Sequence, residues 1–235
     1  MSLLDEAVVL NDGSLMPKVG VIADNEDSVA KAVDAGYRLV DCPTGKKINL
    51  DEISPQLYVE IQISEEIKTR EEMRDSFKNI RHNIVSNHAD LCLLRLSDDM
   101  DRNKKVWQEL EQLKIQGWVK TLGLVNATSD DLADLLKNAK VKPSVVQINY
   151  EDPTLINMAR KNKMQVEMQV EGDIDALAEL ADNYKTSSLE LVMRYFNQKG
   201  IVPLINAEDI IKNPKSDFTI KPNDLATIGQ LFASK

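Results

Sequence analysis

Between positions 19 and 205 the chain passes through eight short apolar runs, most of them followed by a segment whose apolar residues recur at helical spacing. That repeat constrains the fold more than any other feature. Strands and helices alternating through short connections build a parallel sheet, and eight such units predict closure into an α/β (β/α)8 TIM barrel. The predicted strands cover 19–22, 36–44, 57–63, 90–96, 119–125, 144–149, 165–170 and 201–205. The predicted helices cover 27–35, 69–87, 102–116, 129–138, 155–162, 174–184 and 188–198. Thr69 and Glu72 stand in capping-box spacing at the head of one of them.

The flanks and loops refine this picture. Val8-Val9-Leu10, Asn11-Asp12-Gly13 and Ser14-Leu15-Met16 read as an N-terminal hairpin, because Asp-Gly supplies the positive φ of a tight turn. At the other end 222–233 reads as an added helix with Asn223 as its N-cap. Pro43, Gly45 and Pro55 punctuate the short stretch between Asp41 and Leu57, so the second helix is expected to be missing or vestigial. The loop after the fourth strand shrinks to Ser97-Asp98-Asp99-Met100. The expectation is one domain, 1–235, with shortened loops on one face.

Charge and composition exclude several function classes. A net charge of −9, spread over the helices, disfavours nucleic acid and anionic lipid as partners. No apolar run approaches the roughly 20 residues of a membrane span, and the opening residues lack the basic flank of a signal peptide. A cytoplasmic location follows as the default, with organelle association through a partner left open. Cys42 and Cys92 lie in no metal-ligand spacing and read as buried thiols. In barrels of this class, side chains at strand C-termini carry the chemistry. Asp41, at the end of the second strand, is therefore the first candidate.

Five segments in order also carry a family resemblance. "LNDGSLMPKVG", "AVDAGYRLVDC", "LEQLKIQGWVKTLGLVN", "KVKPSVVQINY" and "RYFNQKGIVPLI" resemble the corresponding motifs of the aldo-keto reductases. Members of that family reduce carbonyls with NADPH through an Asp, Tyr, Lys and His set. The resemblance places the Asp at Asp41, the Tyr at Lys46, the Lys at Gln62 and the His at Arg95. It places the nicotinamide carboxamide contacts at Asn126 and Gln147, with Val125 in place of the adjacent Ser. Gln169 falls where an aromatic would stack, Leu204 and Ile205 where a Lys and a Ser would hold a phosphate, and Ile210 where an Arg would follow.

With one catalytic position of the four retained, the resemblance implies a non-catalytic relative, a structural or regulatory subunit of a larger protein assembly that takes no cofactor. Asp41 would then be a strand-end carboxylate paired with Arg95 or Lys46. The remodelled mouth, with Lys46, Lys47, Asp98 and Asp99, would face the protein partner, with Trp107 or Trp118 as apolar contacts. Two alternatives stand beside this. One is a divergent NADP-dependent oxidoreductase or a weak nucleotide-binding sensor using Asn126 and Gln147. The other is a cofactor-free enzyme built from Asp41, Lys46, Glu60 or Arg95.

Overall fold

The computed structural model describes residues 3–42, 57–81 and 88–233. A two-stranded hairpin, β1 (Ala7–Val9) with β2 (Leu15–Pro17), precedes eight parallel strands: β3 (Gly20–Ile22), β4 (Leu39–Cys42), β5 (Tyr58–Ile63), β6 (Ala89–Arg95), β7 (Val119–Val125), β8 (Val145–Ile148), β9 (Gln165–Gln169) and β10 (Ile201–Asn206). These close in the order β10-β3-β4-β5-β6-β7-β8-β9, so the predicted barrel and its hairpin are both present. The predicted absence of a second helix falls on residues 43–56, which lie outside the described residues together with Lys46 and Lys47.

The helices are α1 (Glu26–Asp34), α2 (Arg70–Arg81), α3 (Met100–Ile115), α4 (Ser129–Asn138), α5 (Pro153–Lys161), α6 (Ala178–Asn183), α7 (Ser188–Gln198) and α8 (Pro222–Phe232). Their starts follow local chemistry. Thr69 and Glu72 cap α2 reciprocally, as the spacing predicts. Thr128 with Asp131 and Ser187 with Glu190 form capping boxes on α4 and α7. Asp99 caps α3, accepting from the Arg102 backbone N–H at 2.9 Å. The start of α8 differs from expectation: its N-cap is Lys221, and Asn223 lies inside the helix. Pro222 decides this, because its fixed φ suits the first helical position and it has no N–H to leave unpaired.

The core has two compartments. A large apolar cluster fills the layer between strands and helices and includes Trp107, whose indole N–H donates to the Val141 carbonyl. Trp107 is thus a core residue, and Trp118 packs half-buried against the same cluster. A smaller cluster fills the bore: Leu39, Tyr58, Leu91, Leu93, Val125, Val145, Val202 and Leu204, closed from below by Leu10 and Met16 of the hairpin. The hairpin is pinned there by polar contacts. Asp12 accepts from Thr121 and Lys114, and Asn11 donates to the Pro143 carbonyl. Cys92 is buried and Cys42 half-buried, both as free thiols. Among the described residues no helix is long and apolar enough to cross a membrane.

Candidate active site at the barrel mouth

Successive strand residues face opposite sides of a sheet, so every second residue of each barrel strand enters the bore. Near the N-terminal ends these residues are apolar. Toward the C-terminal ends they become polar: Asp41 on β4, Glu60 and Gln62 on β5, Arg95 on β6, Gln147 on β8, and Glu167 and Gln169 on β9. The register aligns Asp41 with Glu60 across one pair of strands, and Gln147 with Glu167 across another. The mouth is therefore lined by side chains that the strand registers hold in fixed relation.

Two hydrogen-bonded groups organise it. In the first, Arg95 Nη2 donates to Gln62 Oε1 at 3.2 Å, and Gln62 Nε2 donates to Asp41 Oδ2 at 2.9 Å. The expected direct pairing of Asp41 with Arg95 is replaced by this relay, since the Gln62 amide occupies the space between them. Gln62 Nε2 also donates to Gln147 Oε1 at 3.1 Å. In the second group, Gln147 Nε2 faces three carboxyls, Glu60 Oε1 at 3.0 Å, Glu167 Oε1 at 3.2 Å and Asp41 Oδ2 at 3.4 Å. Both groups share Asp41 and Gln147.

Burial dominates the electrostatics. It pushes the Asp41 carboxyl up to about 6, against the opposing hydrogen bonds from Gln62 and Gln147 and the charge of Arg95. Burial also raises Glu167 and, further, Glu60, which the neighbouring Glu167 and Asp41 charges push in the same direction. One oxygen of each of these carboxyls, Asp41 Oδ1, Glu60 Oε2 and Glu167 Oε2, is buried and receives no N–H or O–H from a described residue. Glu167 is the residue that sequence reading missed. The signal was present in Gln165-Val166-Glu167-Met168-Gln169, a strand whose polar residues all fall on the parity that enters a bore.

Other positions separate. Asn126 directly follows β7 in the left-handed region at φ 54, exposed at the mouth, with its N–H on the Gln147 carbonyl. Leu204 and Ile205, which fall where a Lys and a Ser would hold a phosphate, are buried apolar residues of β10. That loop holds the exposed Lys212, while Ile210 packs against the core. Lys31 Nζ approaches the Ala207 carbonyl at its start, 3.4 Å away. Among the described residues no group of three or more His, Cys, Asp or Glu side chains is arranged to hold a metal ion.

Comparison with known proteins places this geometry. The Aldo/keto reductase family profile matches residues 54–171. A glyoxal reductase of Bacillus subtilis is 26% identical over 97% of this chain and 93% of its own length. A methylglyoxal reductase, DkgA, of Salmonella typhimurium is 25% identical over 96% and 93%. A Bombyx mori aldo-keto reductase in complex with NADP superposes with a TM-score of 0.83 at 18% identity, over 96% of this chain and 92% of that one. These relatives bear the names of reductases. They overturn the expectation of a non-catalytic assembly subunit, and the NADP complex overturns the expectation that no cofactor is taken. The physical error lay in counting Gln62 as the loss of a cation, because Arg95 brings a positive charge to that place from the next strand.

Proposed function

The chain belongs to the aldo/keto reductase family, and from that premise we propose that it is an NADP(H)-dependent oxidoreductase acting on a small carbonyl compound at the barrel mouth. The observation that carries the reading is the Arg95–Gln62–Asp41 relay. It sets a guanidinium, half-buried and held by an amide, among side chains at the C-terminal strand ends, where barrel enzymes hold their reacting groups. The dicarbonyl reductases among the relatives point to the same substrate class.

The residues present suit a nicotinamide dinucleotide in kind. The Asn126 side chain, held out by a left-handed backbone, and the half-buried Gln169 offer amides to a carboxamide. Lys31 and Lys212 flank the loop after the last strand, a common phosphate position in this fold, and their two charges balance those of Glu208 and Asp209 in that loop. Phosphate affinity would thus come from the backbone and the lysine tips. When bound, the cofactor supplies a hydride to the carbonyl carbon. Arg95 stabilises the charge that develops on the oxygen, Gln62 fixes the guanidinium, and Asp41 fixes Gln62.

Titration of NADPH by fluorescence, followed by turnover with methylglyoxal, tests this reading. Saturable binding and turnover are expected. Arg95→Met should lower kcat/KM on the order of 10²-fold, the usual effect of removing one preorganised donor, with little change in melting temperature. Absence of saturable binding at millimolar NADPH overturns the proposal.

A further inference from the structure

Beneath the mouth, Glu60 and Glu167 come from strands on different sides of the bore and lie within hydrogen-bonding reach of each other. Both are fully buried. Each uses one oxygen to accept from Gln147, and the other has no N–H or O–H donor among the described residues. Two carboxylates cannot bond to each other, since neither has a hydrogen to give. One proton between them turns two orphaned acceptors into a donor and an acceptor, and it removes one of two like charges from a site with no solvent. Among the described residues these carboxyls are not arranged as a metal-ligand set, and a shared proton is the neutralisation that their geometry accommodates.

We infer that Glu60, Glu167 and Asp41 form one proton-holding unit on the barrel axis, which supplies through Asp41 the proton that a carbonyl oxygen takes up when it is reduced at the mouth. The inference rests on the oxidoreductase reading above and adds the source of its proton. Asp41 is the member nearest the substrate side, since it alone also belongs to the Arg95–Gln62 relay. It is linked to the pair below by a shared donor, the Gln147 side-chain nitrogen.

The step balances. The carbonyl carbon receives a hydride from reduced nicotinamide, the carbonyl oxygen receives the Asp41 proton, and Asp41 is left as a carboxylate. One proton from solvent then restores Asp41 in each turnover, while the Glu60–Glu167 pair keeps its own proton and, through its charge, sets how firmly Asp41 holds one. Among the described residues the titratable and charged neighbours are few. Cys42 adjoins Asp41 on β4, Tyr58 lies below Glu60 on β5, and Arg95 stands above on β6. Strands β3, β7, β8 and β10 face the unit with uncharged side chains. Glu60 and Glu167 therefore act as positioning residues, working through Asp41.

Infrared spectroscopy of the protein alone reads the protonated unit directly. A carboxylic-acid carbonyl band is expected at neutral pH, and it should weaken or shift in both Glu60→Gln and Glu167→Gln, which keep side-chain shape. In the wild-type protein this measurement needs neither a variant nor a cofactor. Its absence at neutral pH overturns the inference while leaving the oxidoreductase reading in place. The second measurement is the pH profile of NADPH-dependent methylglyoxal reduction. Each variant should move the alkaline limb by about one pH unit or more, with KM nearly unchanged. A band that is present beside an unmoved profile shows a purely structural pair and overturns delivery through Asp41. A protein that shows the band and binds NADPH without reducing any carbonyl overturns both readings.

Discussion

Gln62 shows how a single residue type misleads when its neighbours are not known. An amide in place of a lysine removes a charge from that side chain, yet the amide's oxygen is what Arg95 binds and its nitrogen is what Asp41 binds. The sequence made Asp41, Gln62, Arg95 and Gln147 visible as candidates. It could not reveal the relay, because hydrogen bonding between strands depends on register. Nor could it reveal that Glu60 and Glu167 meet, being 107 positions apart. The buried carboxyls also predict an unusual pH dependence of stability. Asp41 and Glu167 keep their protons in the folded chain to about 6 and about 8, against ordinary values of 3.8 and 4.5. The folded state therefore binds more protons across that interval, so their contribution is fully present in acid and is lost as pH rises through it. Asp12 and Glu190, whose values are lowered, act in the opposite sense only at more acid pH. Melting temperature should fall as pH rises from about 5 to about 8. Thermal scans of a Glu60→Gln, Glu167→Gln double variant should lose most of that slope.

Elements were more legible than sites, and for a physical reason. Strand and helix declare themselves through period and caps, which are local, whereas α8 begins at Pro222 because of one missing N–H that a search for N-cap side chains overlooks. The segment 174–184 reads as one helix but divides into a 3-10 turn (Ile174–Leu177) and α6. Close packing of strands inside the bore leaves a sharper test. A Cβ placed on Gly123 of β7 would lie 2.5 Å from Leu93 Cδ2 and 2.7 Å from the Val145 carbonyl oxygen. Backbone of the adjacent strand cannot move aside as a side chain can. Gly123→Ala should thus destabilise by roughly 1–3 kcal/mol, read as a lower denaturant midpoint at unchanged slope.

The molecule as a whole divides between its two ends. Polar and titratable side chains gather at the C-terminal strand ends, while the opposite end is sealed by apolar side chains from the hairpin. Leu10→Ala or Met16→Ala removes part of that seal and should cost about 2–5 kcal/mol. NADPH affinity should stay unchanged, because the hairpin and the relay share no contact. Calorimetry and nucleotide titration on the same preparation check both halves of this expectation, and a loss of affinity in step with stability would refute the division.

Closure of the barrel has one more consequence, for how copies of the chain meet in concentrated solution. A closed sheet offers no open row of backbone donors and acceptors, so strand addition cannot begin there. Among the described residues, the open strand edges belong to the hairpin, whose outer face also carries Val9 and Leu15 at 69% and 62% exposure. Self-association by edge pairing would start at that end, and the mouth would still face solvent.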